Sequence, residues 1–317
     1  MHVVVRALQA TAPIVARLKE LVGENVVVVN DDRELAASIA GAELLLITDN
    51  VYSVETADIL RERAASLKWI QLLSAGYDAV ARHGVPPGVT VTNAGDAYAP
   101  AVATHAIALL LGVQRQFPAF LASQARHSWD RTFGSRAAIP FDSTVAIIGF
   151  GHIGSAIGRI LKSFGARIIA VTRRGLQHPD ADETARVAEL HAILPRVDAI
   201  VIALAPGPDS HHLIGATEFA AMKRGAVLVN IARGYVVDCL ALAEALKNGS
   251  IGGAGIDVTD PEPLPEAHPL WDAPNLIISP HMAGASGSVM GRRLAKIAGD
   301  NVARWLAGQP LAHRITL

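Results

Sequence analysis

Along this chain, short β-branched apolar runs alternate with loops and Ala-rich amphipathic stretches. In the first third the runs are Val3–Leu8, Val26–Val29, Leu44–Thr48, Trp69–Leu73 and Val89–Thr92, with helical patterns such as Pro13–Val22 and Val54–Ala65 between them. A second set comprises Val145–Phe150, Arg167–Val171, Ala199–Leu204, Ala226–Ile231, Gly253–Asp257 and Leu276–Ser279. The runs are continuously apolar rather than alternating, as strands covered on both faces require. Two successive sets of alternating strand and helix predict an α/β protein with two parallel-sheet domains. Between the sets, Ala101–Gln114 reads as a long apolar bridging helix, and the polar Gln116–Phe141 stretch as an arm. After Gly287 the pattern is helical through Arg292–Leu306, with no further strand.

Length and composition fit that picture. A chain of 317 residues exceeds what one hydrophobic core usually organises, and 51% of it is hydrophobic. The formal net charge is −1 and no Lys/Arg stripe is visible, so neither nucleic acid nor an anionic membrane is expected as a partner. Cys239 is the only cysteine, which excludes an intrachain disulfide and a Cys-built zinc site. The histidines other than His281 show no metal-ligand spacing, so no metal is expected. The first residues, MHVVVRALQA, lack a basic stretch followed by a long apolar one, and runs such as Ala106–Val113 are short for a membrane span. A reducing cytoplasmic setting is the expectation.

Gly149-Phe150-Gly151-His152-Ile153-Gly154 follows the Val145–Ile148 strand directly and opens a helix over Ser155–Phe164. In that context Gly149 permits the tight turn, Gly151 lets the backbone approach a pyrophosphate, and Gly154 lets helix and strand pack closely. The open N–H groups at the helix start favour phosphate, with His152 and Ile153 in the same loop. The second strand ends Val171-Thr172-Arg173-Arg174. Thr172 stands where an NAD site carries an acid for the ribose hydroxyls. Two arginines beside it suit a 2′-phosphate, which guanidinium binds in a fork. NADP(H) is therefore expected in preference to NAD(H).

Three further segments come in a telling order: Val229-Asn230-Ile231-Ala232-Arg233-Gly234, then Gly255-Ile256-Asp257-Val258 through Pro261-Glu262-Pro263-Leu264-Pro265, then Ser279-Pro280-His281-Met282-Ala283-Gly284. The reaction implied by the family that these segments resemble, reduction of a 2-keto acid, needs a cation for the carboxylate, a polarising donor at the ketone and a proton source at its oxygen. Arg233, at a strand end, supplies the first two, and His281 the third. Glu262 can orient the imidazole and keep it protonated. With Leu73-Ser74-Ala75-Gly76-Tyr77-Asp78, these segments resemble the D-2-hydroxyacid dehydrogenase family, which includes glyoxylate/hydroxypyruvate reductases. The resemblance runs from about Ala42 to the last helix and is densest over Val145–Gly284.

The resemblance implies two Rossmann-like domains, a flavodoxin-like substrate domain and an NAD(P)-binding domain, with the active site in the cleft between them. The substrate domain would be 1–98 completed by 287–317, and the cofactor domain 99–286. It implies a homodimer and assigns catalysis to Arg233, Glu262 and His281. It implies that Ala75 and Gly76 clasp the substrate carboxylate through backbone N–H groups; Tyr52 and Asn50, after the third strand, are read as pocket walls on the same edge, and Tyr77 as a substrate contact or core packing. Around the cofactor it places Leu204, Ala205 and Pro208 of the Leu204–Ser210 loop, with Ile231, Ala232, Asp257 and Gly284. Gly207 replaces a usual Thr in that loop, Thr104 a frequent Glu in the bridging helix, and Cys239 another. Formate dehydrogenases of this type have Gln where Glu262 stands, which disfavours that chemistry. A redox-sensing corepressor-like binder and a phosphite dehydrogenase remain as alternatives. The absence of an Arg/Lys cluster near Asn50–Tyr52 or Ser74–Asp78 favours small substrates such as glyoxylate and hydroxypyruvate.

Overall fold

The computed structural model describes residues 1–205 and 207–317, apart from the side chain of Pro208. Among them the chain divides into two compact units, residues 1–98 with 286–317, and residues 99–285.

The first unit carries β1 (Val3–Arg6), α1 (Thr11–Val22), β2 (Val26–Val28), α2 (Asp32–Ser38), β3 (Leu44–Ile47), α3 (Val54–Arg63), β4 (Trp69–Leu72), α4 (Asp78–His83) and β5 (Thr90–Thr92). Its five-stranded sheet has the order β2-β1-β3-β4-β5 and is parallel throughout. The order reverses between β1 and β3, so the loops after β3 and β4 leave the carboxyl edge near the reversal, where open α/β sheets bind ligands. Local chemistry supports the helices. Ser53 caps α3 by accepting from Thr56 N at 3.1 Å, and Arg61 and Arg63 sit in its last turn.

The C-terminal helix joins this unit. A buried Asn301 donates through Nδ2 to Gln71 Oε1 at 2.9 Å and to Ala312 O at 3.1 Å, and its Oδ1 accepts from Ala312 N at 2.8 Å.

The second unit begins with the two helices α5 (Ala99–Gln114) and α6 (Phe117–Ala125) and then alternates strand and helix: β6 (Thr144–Ile148), α7 (His152–Ser163), β7 (Arg167–Thr172), β8 (Glu183–Arg186), α8 (Leu190–Ile193), β9 (Ala199–Ile202), α9 (Ala216–Ala221), β10 (Val227–Asn230), α10 (Cys239–Lys247), β11 (Gly253–Ile256) and β12 (Leu276–Ile278). The last helix of the chain, α11 (Ser288–Leu306), belongs to the first unit and packs on α1. The second sheet has seven parallel strands in the order β12-β11-β10-β9-β6-β7-β8. α5 lies on β11, where Gly255 leaves the room: a Cβ there would come 2.8 Å from Leu109 Cβ. The expectation of two parallel-sheet Rossmann-like domains holds.

Two details differ from the sequence reading. The strand β8 was not expected, because Glu-Thr-Ala-Arg carries no apolar run; it is an edge strand with Ala185 buried, Glu183 and Thr184 half-buried and Arg186 exposed. The stretch 116–141, expected as an arm with no element assigned, carries α6 near its start and a short 3-10 turn at Thr132–Arg136. No single helix among the described residues is long and apolar enough to cross a membrane.

Candidate active site

The Gly loop forms the turn its sequence requires. Gly149 has φ +93°, and a Cβ on it would come 2.6 Å from the carbonyl oxygen of Ala203. A Cβ on Gly154 would overlap the carbonyl oxygen of Gly149, so any side chain there would push α7 off β6. On Gly151, by contrast, a Cβ would meet nothing within 4 Å. The glycine thus leaves open space at the α7 N-terminus, the cradle a pyrophosphate needs. The residues present fit a dinucleotide. His152 is exposed and Ile153 half-buried at the start of the helix.

At the end of β7, Thr172 Oγ1 accepts from Gly175 N at 2.9 Å and closes a small turn. That turn presents Arg173 and Arg174 to solvent. Arg186, whose strand position pairs with Thr172, is neutralised by Glu189, and elsewhere in this unit Arg159 pairs with Asp180, Lys162 with Asp182, and Arg167 and Arg196 with Glu183. Among the described residues neither Arg173 nor Arg174 has a carboxylate partner, so their charge is available to an anion. On the loop after β9, Leu204 is half-buried and Ala205 exposed, while the side chain of Pro208 lies outside the described residues.

The remaining candidates of this unit leave the carboxyl edges of three adjacent strands, β10, β11 and β12. After β10, Ile231 and Ala232 are buried. Asn230 braces this turn, with Nδ2 donating to Arg233 O at 2.9 Å and Oδ1 accepting from Ala232 N at 3.1 Å. Arg233 Nη1 donates to Ala232 O at 2.7 Å. Gly234 is required next, since a Cβ there would overlap the Thr259 carbonyl. Glu262, from the loop after β11, and His281, after β12, meet directly, with Nδ1 and Oε1 2.7 Å apart. The pair is accessible, His281 being 50% and Glu262 43% exposed.

His281 has the left-handed φ of +50°, and Asp257 makes that turn possible. The Asp257 carbonyl accepts from His281 N at 2.7 Å, and its carboxylate accepts from Met282 N and Ala283 N, each at 2.9 Å. Ser279 Oγ donates to the same carboxylate at 2.6 Å. Asp257 was expected among the cofactor-contacting residues; it is 2% exposed, and its carboxylate braces the turn that carries His281. Gly284 lies half-buried in the turn that follows.

In the first unit, the loop Leu73–Gly76 has every carbonyl claimed. Tyr98 Oη donates to Leu73 O at 2.8 Å, Ala94 N to Ser74 O at 3.0 Å, Asn93 Nδ2 to Ala75 O at 2.9 Å, and Ser74 Oγ to Gly76 O at 2.9 Å. Asp49 Oδ2 and Oδ1 accept from Ala79 N and Val80 N at 3.0 Å, holding the far end. Among the described residues no hydrogen bond uses the N–H of Ala75 or Gly76, so the loop offers donors and no acceptors, as an anion clasp requires. Asn93, Tyr98 and Asp49 carry no sequence signal of this role, because their partners are distant in sequence.

Tyr52 is a correction. It is 2% exposed and its hydroxyl donates to Gly84 O at 2.6 Å, so it is a core residue and not a pocket wall. Burial, with a smaller contribution from Asp49 against the opposing Arg61, pushes that hydroxyl up to about 12. Tyr77 is half-buried and packs its ring against the same core. Burial also pushes the Cys239 thiol up, which disfavours the nucleophilic thiolate.

The comparisons agree with this geometry. Residues 107–283 match the model of the D-isomer specific 2-hydroxyacid dehydrogenase NAD-binding domain. The chain is 33% identical over 288 residues to a glycerate dehydrogenase of Methylorubrum extorquens, covering 87% of each. It is 33% identical over 291 residues to a human glyoxylate reductase/hydroxypyruvate reductase, covering 90% of this chain and 87% of that one. A solved structure of an NADPH-dependent glyoxylate/hydroxypyruvate reductase from Sinorhizobium meliloti, in complex with NADP and sulfate, superposes with a TM-score of 0.84 at 27% identity, covering 99% of this chain and 97% of that one. With the Gly loop, the strand-end Arg and the Glu–His pair in place, this chain belongs to the D-isomer specific 2-hydroxyacid dehydrogenase family and is an NAD(P)-dependent enzyme of it.

Proposed function

We propose that this enzyme reduces C2 of a small 2-keto acid, of the glyoxylate or hydroxypyruvate class, with NADP(H). The observation that carries the reading is the 2.7 Å pair of His281 and Glu262, which follow the two strands next in order from Arg233 on one sheet edge. With Nδ1 committed to the carboxylate, Nε2 is the nitrogen left to carry a transferable proton. The nicotinamide, when bound, supplies the hydride to C2. Arg233 attracts the substrate carboxylate and polarises the ketone. His281 gives its Nε2 proton to the ketone oxygen as the C–O double bond becomes single, and Glu262 favours the imidazolium before transfer. The N–H groups of Ala75 and Gly76 would hold the carboxylate.

NADP(H) preference is supported by the exposed Arg173 and Arg174, which among the described residues have no carboxylate partner, and by the NADPH dependence of the Sinorhizobium meliloti relative. A small substrate is supported by the side chains of the Ser74–Asp78 loop, none of which is cationic. A homodimer is supported by the apolar surface of the 117–141 segment, where Trp129 is 94% exposed and Leu121, Ile139 and Phe141 are more than half exposed. The deciding experiment is kcat/KM for glyoxylate, hydroxypyruvate, phosphohydroxypyruvate and 2-ketoglutarate, with NADPH and NADH at fixed ionic strength. Glyoxylate and hydroxypyruvate should lead with NADPH. A dianionic substrate in first place would refute the substrate assignment.

A further inference from the structure

We infer that His105, contributed by α5, is a positioning residue for His281. The proposal rests on reading His281 as the proton donor. The Asp257 carbonyl accepts from His281 N and its carboxylate from Met282 N and Ala283 N, so the orientation of that carboxylate fixes the turn that follows the imidazole. That carboxylate is held in turn from behind. Ser279 Oγ donates to Asp257 Oδ1 at 2.6 Å, and His105 Nε2 lies 2.8 Å from the same Oγ and 3.4 Å from Oδ1.

The direction of this chain follows from proton counting. A hydroxyl has one proton, and at 2.6 Å from an acceptor-only carboxylate oxygen Ser279 spends it there. The Ile256 carbonyl, at 3.5 Å, is too far to compete. His105 must therefore carry its proton on Nε2 and donate to Ser279. The result is a one-way run of hydrogen bonds: His105 Nε2–H to Ser279 Oγ–H to Asp257 Oδ1, which also accepts Met282 N–H. His105 sits on α5, whose apolar face is buried against β11, so the run ends on a rigid support. Removing it leaves Ser279 free to turn and a buried carboxylate with one fixed neighbour fewer. The imidazole would then lose alignment while the cofactor cradle at α7 is untouched.

The test uses His105→Leu and His105→Gln in the intact enzyme, because a Gln amide reaches as Nε2 does and also donates. His105→Leu should lower kcat for glyoxylate reduction about tenfold, since small misplacements of a reacting group are costly. KM and the NADPH dissociation constant should stay within about threefold. Amide exchange at Met282 and Ala283 should quicken about tenfold, and His105→Gln should restore both readouts. Wild-type kcat and protection in His105→Leu would overturn the proposal. So would a loss confined to the number of NADPH-binding sites with the surviving enzyme unchanged, which marks a folding defect. His281→Ala run in parallel separates the two readings. If it keeps wild-type kcat while His105→Leu still loosens Met282 and Ala283, the proton-donor assignment fails and the anchoring stands. If it loses turnover while His105→Leu does not, the positioning role fails.

Discussion

Replacing Arg173 and Arg174 together by Ala should collapse the preference for NADPH. Both side chains are exposed, and among the described residues neither is tied to a carboxylate, whereas Arg186 on the neighbouring strand is paired with Glu189. A hydrogen bond to a charged group is worth about 1.5–3 kcal/mol, and solvent exposure reduces each contact here to roughly 1 kcal/mol. Two such contacts sum to about 2 kcal/mol, or roughly thirtyfold in the ratio of kcat/KM values. The wild-type enzyme should favour NADPH by at least about tenfold, which corresponds to about 1.4 kcal/mol. The double variant should bring the ratio close to one without lowering activity with NADH. Adding Thr172→Asp should then favour NADH, because the new carboxylate accepts from ribose hydroxyls, repels the 2′-phosphate and still offers an oxygen to Gly175 N. The assay is initial rates with both cofactors, supported by their dissociation constants from nicotinamide fluorescence. The preference should also weaken with added salt, since the contact is at the surface. An unchanged cofactor ratio in the double variant would refute the reasoning, as would equal use of both cofactors by the wild type.

Other expectations are as direct. His281→Ala should cut kcat by about 10²–10⁴ while leaving NADPH binding within a few-fold, measured by stopped-flow turnover and fluorescence titration. Asn93→Leu removes the donor to Ala75 O, so KM for the keto acid should rise about tenfold with the NADPH dissociation constant unchanged; a constant KM would detach Asn93 from the clasp. Asn301→Leu strips one buried and two part-buried hydrogen bonds from the junction of α11, Gln71 and the tail, and should cost about 2–4 kcal/mol in urea unfolding of the first unit. Asp32 is raised by partial burial but lowered more by Arg6 and Thr56, so its carboxyl lies below the ordinary 3.8. A depressed folded value contributes stability above that pH and loses it as pH falls through the folded value, so the Tm gap between wild type and Asp32→Asn should close below about pH 3.8.

Much of this enzyme was legible before folding. Buried parallel strands need uninterrupted apolar residues, so β1 to β7 and β9 to β12 stand out as runs. The Gly149–Gly154 loop must follow a strand and open a helix, so its spacing and context can be read in a line. The strand-end positions of Arg233 and His281 follow from the same rule, and Glu262 was reached through the resemblance. What sequence could not reveal depends on contacts between residues far apart in the chain. The strand β8 forms because β7 offers its edge, not because Glu183–Arg186 is apolar. Tyr52 turned inward because Gly84, 32 residues on, presents a carbonyl to its hydroxyl. Asn93 and Tyr98 acquired a role only when the ends of β4 and β5 came side by side and left the Leu73–Gly76 carbonyls within reach. Asp257 reads in sequence as any strand-end carboxylate; only the return of the chain at Ser279–Ala283 makes it the anchor of the His281 loop. His105 looks like one more histidine on an apolar helix, and its partner is 174 residues away. Periodicity and motif order report what each segment must bury and which backbone turns it must make. Which polar group meets which is decided by tertiary packing, because a hydrogen bond acts over about 3 Å and no local pattern encodes a neighbour brought there by the fold.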